Sequence, residues 1–117
     1  MPLSINTRTV EPDITVIELS GKLSPGSDAQ NIEHLTNNLI AEGVRKLIFD
    51  LKGLGYIDSA GIGQIVYSAS KITQVGGHCR VTGAKGLVMD VFRITRIDQL
   101  IPFSDTLEEA CAALSAA

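Results

Sequence analysis

One short run of residues limits the fold of this chain more than any other feature. Leu47, Ile48 and Phe49 form an uninterrupted apolar run within RKLIFDL, residues 45–51. A short run without polar residues is typical of a β-strand covered on both faces, because a half-exposed strand alternates apolar with polar residues. Such strands belong mostly to parallel sheets with helices on both sides. We therefore expect this segment to be a central strand of an α/β protein.

Helical patterns stand on both sides of this strand. The first begins at a capping box in residues 27–30 and ends at Gly43, and the second ends at the glycine pair 76–77. Their apolar residues recur three or four positions apart, with Ile32, Leu35 and Leu39 in the first and Ile62, Ile65, Val66, Ala69 and Ile72 in the second. We therefore predict one helix before the central strand and one directly after Ser59.

The remaining segments complete an alternating order. SINTRTV and ITVIELSG predict a hairpin with a turn at residues 11–13 and a second strand that ends at Gly21. Later come a strand in HCRVTGA, a helix marked by Leu87, Val88 and Val91, a short apolar element at residues 100–101, and a last helix after residues 104–106 that buries Leu107, Ala110, Cys111 and Leu114. The order ββαβαβαβα predicts a single α/β domain over residues 1–117, with a mixed, mostly parallel sheet and an antiparallel hairpin at its edge.

Composition excludes several kinds of partner. Ten Lys and Arg stand against thirteen Asp and Glu, and the net charge is -3. The basic residues are scattered, which argues against nucleic acid or an anionic membrane as the main partner. Because no segment has the length of a signal peptide or a membrane span, we expect a cytoplasmic protein.

The potential soft ligands do not predict a metal site. Cys79 and Cys111 both stand in apolar patterns and are expected to be reduced and buried. Neither these cysteines nor His34 and His78 have the spacing of metal ligands. We therefore predict neither a metal nor another cofactor.

A serine stands at the junction between the central strand and the next helix. It is Ser59 in GYIDSAGIG, residues 55–63. Ligands of parallel sheets bind outside the carboxyl ends of the strands, so we expect Ser59 at the functional edge of the sheet. The simplest role for Asp58 or Ser59 is that of a helix N-cap, which accepts a hydrogen bond from an amide of the first turn.

Two enzymatic interpretations fit this junction poorly. A nucleophile elbow requires G-x-S-x-G, but Ile57 stands two residues before Ser59, and no sequence feature couples a histidine to the serine. The glycines at positions 53, 55, 61 and 63 do not complete a dinucleotide fingerprint, and there is no Walker A lysine. A phosphate attached to Ser59 would instead gain ~0.3 to 2 kcal/mol from the helix N-terminus. We therefore expect a modified binding protein and not an enzyme.

The motif DSAGIG at residues 58–63 resembles the D-S-[ST]-G-[LI]-G signature of STAS domains in bacterial anti-sigma-factor antagonists. The segments LIFDLKGLGYI and QVGG around it, GKLS at 21–24 and VTGA at 81–84 support this resemblance, which covers essentially the whole chain. Two residues depart from the family pattern. Ala60 replaces a frequent Ser or Thr, and Ser24 replaces a frequent Asp, which bears on partner affinity and on kinase contact.

The resemblance implies a cycle of partner switching. The unphosphorylated form would bind an anti-sigma factor, itself a serine kinase of histidine-kinase-like ATPase fold, and so free a sigma factor. Phosphorylation of Ser59 would end this complex, and a PP2C-type phosphatase would restore it. An alternative is a STAS scaffold or accessory subunit, in a signalling assembly or a lipid-transport system, that uses the same face for a permanent contact.

The expected partner-binding face combines three segments of the chain. Its residues are Asp58, Ser59, Ala60, Gly61, Ile62, Ser24, Gly83 and Ala84. Ile62 fits either the start of the apolar helix stripe or an exposed contact, and we predict the former; Ser24, Gly83 and Ala84 also fit plain turns. The oligomeric state stays open, because the edge of the first hairpin can pair with a second copy or remain protected by Arg8 and Lys22.

Overall fold

The computed structural model describes residues 3–10, 12–23 and 27–116, with the backbone alone for residues 27–30. Its strands are β1 (Ser4–Val10), β2 (Ile14–Leu23), β3 (Lys46–Ile57), β4 (His78–Thr82) and β5 (Phe103–Ser104). Its helices are α1 (Ser27–Ala41), α2 (Ser59–Gln74), α3 (Gly86–Ile94) and α4 (Leu107–Ser115), with a 3-10 turn at Ile97–Gln99. The predicted order of strands and α-helices is confirmed.

The sheet has the order β1-β2-β3-β4-β5. β1 and β2 pair antiparallel, whereas the other neighbouring strands pair parallel. A short turn suffices for the antiparallel pair, but each parallel pair needs a crossover, which α1, α2 and α3 provide in turn. The predicted mixed sheet with an antiparallel hairpin at its edge is confirmed.

Two apolar layers cover the sheet. The larger contains residues of α1, α2 and α3, and the smaller joins Ala110 and Leu114 of α4 to residues of β2 and β3. Leu47 and Phe49 lie in the larger layer and Ile48 in the smaller one, as the alternation of side chains along a strand requires. The central strand is therefore buried on both faces, as predicted.

β2 and β3 run further than the sequence predicted. β2 was expected to end at Gly21 but continues to Leu23, and β3 continues to Ile57 beyond the predicted strand at residues 45–51. Two register shifts lie in this stretch, and Gly21 has a φ of 91°. β-bulges keep irregular, glycine-rich segments paired, which the alternation of residues does not reveal. Residues 52–57 are therefore strand and not loop.

The carboxyl-terminal part also differs from the prediction. The last strand is not at residues 100–101 but follows Pro102, whose carbonyl accepts a hydrogen bond from the Val81 amide at 3.0 Å. Proline lacks an amide but keeps its carbonyl, so a strand can begin beside it. In α4, Ala110 and Leu114 are buried as predicted, but Leu107 and Cys111 are only half-buried.

Candidate functional site

Asp58 is the single residue between β3 and α2. Its backbone is extended, with φ -114° and ψ -176°, and its side-chain Oδ1 accepts a hydrogen bond from the Gly61 amide at 2.9 Å. Its carbonyl accepts the Ile62 amide at 2.9 Å. Asp58 is therefore the N-cap of α2, and the capping alternative is confirmed for the aspartate. Ser59 becomes the first helical residue, so the helix does not need its hydroxyl as a cap.

The first turn of α2 divides into an exposed and a buried part. Ser59 and Ala60 are exposed. Gly61 and Ile62 are buried, and Ile62 retains 5% exposure as a member of the larger core layer. The predicted core position of Ile62 is confirmed. The turn therefore presents the serine and the alanine to an incoming molecule.

The two glycines of the motif have different surroundings. A Cβ at Gly61 would lie 2.8 Å from both Cγ and the carbonyl oxygen of Leu23. That carbonyl also accepts the Asp58 amide at 3.3 Å, so the helix start is held close to the end of β2. Apart from its chain neighbours and the backbone of its own helix, a Cβ at Gly63 would have no atom of the described residues within 4 Å. Packing among the described residues therefore requires glycine at position 61 but not at position 63.

The electrostatic setting of Ser59 has two opposing parts. The first turn of α2 carries no acidic side chain, and the partial positive charge of a helix N-terminus favours an anion. The Asp58 carboxylate, directly before the serine, opposes a second negative charge. Over the residues that the structure describes, no three of His, Cys, Asp and Glu come together as a metal site would require. What this arrangement offers chemically is an accessible hydroxyl.

Gly83 and Ala84 lie beside the middle of β3. Gly83 has a φ of 81°, and a Cβ there would lie 2.7 Å from the Lys52 amide nitrogen and 2.9 Å from Asp50 Oδ1. Ala84 packs against the larger core layer. Ser59, by contrast, follows the end of β3 at Ile57. The segment with Gly83 and the segment with Ser59 therefore lie at the same end of the sheet, but Gly83 is beside Asp50 and Lys52, whereas Ser59 follows the last residue of β3.

Ser24 lies outside the described residues. It follows Leu23, which contacts the start of α2 through its carbonyl. The partner-binding face expected from the sequence did not include Gly63, which is exposed. The motif itself gives no signal that separates Gly63 from Gly61, because only the packing around each glycine differs.

None of the helices in the described part of the chain is long and apolar enough to cross a lipid bilayer.

Comparison with known proteins identifies the family. The profile of the STAS domain matches residues 5–110. BtrV of Bordetella bronchiseptica, which is named as an anti-sigma factor antagonist, is 32% identical over 93 residues, or 77% of this chain and 80% of BtrV. An anti-sigma factor antagonist from Mycobacterium paratuberculosis has a similar structure, with a TM-score of 0.85 and 18% identity over 97% of this chain and 95% of that chain. The Bacillus cell fate determinant SpoIIAA in its phosphorylated form has a TM-score of 0.73 and 21% identity over 94% of this chain and 98% of that chain. The chain belongs to the STAS domain family.

Proposed function

We propose that this protein is an anti-sigma-factor antagonist that acts in the cytoplasm. Its unphosphorylated form binds an anti-sigma factor and thereby frees a sigma factor. Family membership and the relatives named as anti-sigma factor antagonists support this role. The observation that carries the proposal is the exposed Ser59 at the first position of α2, with the capping role taken by Asp58.

Phosphorylation of Ser59 ends the complex. The anti-sigma factor is a serine kinase of histidine-kinase-like ATPase fold. The Ser59 oxygen forms a bond to the γ-phosphorus of ATP, the bond between that phosphorus and the β-phosphate oxygen breaks, and ADP leaves. The hydroxyl proton passes to a base of the kinase. A PP2C-type phosphatase uses water to release inorganic phosphate and restore the hydroxyl. This chain supplies the acceptor and no catalytic group.

Charge provides the free energy of release. A thousandfold weaker complex requires ~4 kcal/mol. A phosphate adds about 1.5 to 2 negative charges, and burying them in a contact surface without a matching cation costs several kcal/mol. The neighbouring Asp58 carboxylate adds repulsion toward an acidic partner surface. Within the domain, the helix N-terminus tolerates the phosphate, so the change remains local.

Phosphate mapping with the candidate kinase tests the proposal. The pure protein is incubated with ATP and the kinase, and intact-mass and peptide mass spectrometry locate the phosphate. We expect one phosphate on Ser59, its absence in Ser59→Ala, and loss of kinase binding after modification. Ser70→Ala is the matched control, because Ser70 is an exposed serine of the same helix. A stable complex that never acquires phosphate would contradict the switch and indicate a constitutive STAS scaffold.

A further inference from the structure

We propose that Gly63 determines whether the kinase can reach Ser59. The missing side chain at this position leaves the space that the partner's active site occupies during phosphoryl transfer. Side chains at residue 63 therefore slow the phosphorylation of Ser59 while leaving the fold intact. This inference rests on the proposed function, because it names how the kinase meets the same site.

Among the described residues, neither packing nor backbone conformation explains Gly63. Glycine in a helix interior destabilises the helix relative to alanine. At Gly61, close packing on Leu23 offsets this cost, but an added Cβ at Gly63 would contact no described atom within 4 Å beyond its chain neighbours and the backbone of its own helix. Gly63 also lacks the positive φ that favours glycine elsewhere in this chain. A glycine that weakens its helix without serving packing or conformation points to close approach by another molecule.

The position of Gly63 relates it directly to the hydroxyl. Residues four apart share one face of a helix, so Gly63 follows Ser59 by one turn. Side chains on a helix lean toward its N-terminus and cover the preceding turn. A side chain at position 63 would therefore extend over Ser59. Glycine is the one residue type that leaves this turn uncovered.

The surface around Ser59 consists of small side chains and is bounded by a large one. Ser59, Ala60 and Gly63 are all exposed, and none of them carries a side chain larger than that of serine. We name these three residues the low strip. Tyr67, one turn beyond Gly63, has its hydroxyl 3.2 Å from Asn37 Nδ2, and the Lys71 ammonium lies 5.5 Å from the centre of its ring. The low strip thus ends at Tyr67, whose side chain is fixed by Asn37 and Lys71.

Phosphoryl transfer needs this clearance. The attacking oxygen and the phosphorus must come within about 3 to 3.5 Å in a defined orientation. The kinase must bring ATP and a base to an oxygen that stands on a helix surface, so its own chain has to approach that surface closely. A single side chain at position 63 that holds the kinase away from this surface is enough to prevent the aligned geometry.

A pair of matched substitutions tests the inference. Gly63→Gln places a flexible, uncharged side chain one turn from Ser59, and Ser70→Gln places the same side chain on the exposed part of α2 further along. We expect Gly63→Gln to lower kcat/KM for Ser59 phosphorylation by tenfold or more, since misplacement of about 1 Å can cost a factor of about 100. Ser70→Gln should leave kcat/KM within about twofold. Gly63→Ala should fall between the wild type and Gly63→Gln.

Thermal unfolding of the same proteins separates access from folding. We expect Gly63→Gln to have a higher Tm than the wild type, because glutamine is the better helix former. A Gly63→Gln protein that is phosphorylated more slowly but has a higher Tm supports the inference. A lower Tm would show that glycine serves the fold and would overturn it, as would an unchanged kcat/KM in Gly63→Gln with a phosphorylated wild type. A wild type without phosphate would overturn the proposed function together with this inference.

Discussion

Helix α2 has two glycines near each end, and their surroundings differ. At its carboxyl end, Gly76 has a φ of 82°, and a Cβ at Gly77 would collide with the carbonyl oxygen of Arg45. At its amino end, Gly61 is also confined, although less tightly, whereas a Cβ at Gly63 would contact no other element of the described residues within 4 Å. Backbone geometry or packing thus accounts for three of the four glycines. The remaining glycine, Gly63, lies beside Ser59, and contact with a partner is the explanation we propose for it.

The carboxyl end should be the more sensitive to an added methyl group. We expect Gly77→Ala to lower the free energy of unfolding by about 3 kcal/mol, because the new Cβ meets backbone that cannot move freely. The Arg45 carbonyl is already fixed by the His78 amide at 2.8 Å, and Ile72 Cγ1 would lie 2.8 Å from the Cβ. Urea denaturation measures the loss. A change below about 1 kcal/mol would contradict the assigned confinement of Gly77.

The amino end should respond in opposite directions at its two glycines. We expect Gly61→Ala to lower the free energy of unfolding by about 2 kcal/mol, somewhat less than at Gly77, because the Leu23 carbonyl oxygen would be less close than the Arg45 carbonyl oxygen is at Gly77, and the side chains of Leu23 and Ile57 can shift. Gly63→Ala should raise it by about 0.5 to 1 kcal/mol, the ordinary gain of alanine over glycine in a helix. Equilibrium urea unfolding of both variants measures the pair. Changes in the free energy of unfolding with the same sign in both variants would contradict the distinction between the two positions.

Burial near the carboxyl end of α2 should make stability depend on pH. Cys79 follows Gly77 in β4, and burial raises the pKa of its thiol from 9.0 to about 12. Below pH 9 the thiol is protonated in both states. Above pH 9 the unfolded chain releases this proton and the folded protein does not, so stability falls with rising pH until about 12.

We expect this single group to remove about 1.4 kcal/mol from the free energy of unfolding between pH 8 and pH 10. Urea unfolding at both pH values gives the difference for each protein. Cys79→Ala should lack this part of the fall, whereas Cys111→Ala, at a half-buried cysteine, should keep it. An equal pH dependence in the wild type and Cys79→Ala would contradict the expectation.

Loss of the N-cap of α2 should have the smallest destabilising effect. We expect Asp58→Ala to lower the free energy of unfolding by about 1 kcal/mol, because the Gly61 amide loses its acceptor. Asp58→Asn should restore most of the stability, since asparagine caps equally well. Thr106→Ala is the matched control: Thr106 caps α4 through the Glu109 amide at 3.1 Å, away from Ser59. Kinase binding should then change in Asp58→Ala but not in Thr106→Ala.

Most of the fold could be predicted because its signals are local. Apolar spacing predicted the helices, and glycines marked their ends at Gly43 and Gly76, both of which have positive φ. The apolar run at 47–49 predicted a strand with two buried faces. The lengths of β2 and β3 could not be predicted, because the bulged pairing of residues 20–23 with 53–57 depends on the neighbouring strand.

The order of segments along the chain was enough to locate the candidate site, a hydroxyl at the start of a helix after a central strand. It left open whether Asp58 or Ser59 caps the helix, and the partner-binding face expected from it included Gly61 but not Gly63. The folded arrangement resolved these points, since Leu23 contacts Gly61 from a strand more than thirty residues earlier in the chain. Spacing along a chain fixes which residues share a face, but contacts between distant segments fix which of them have room.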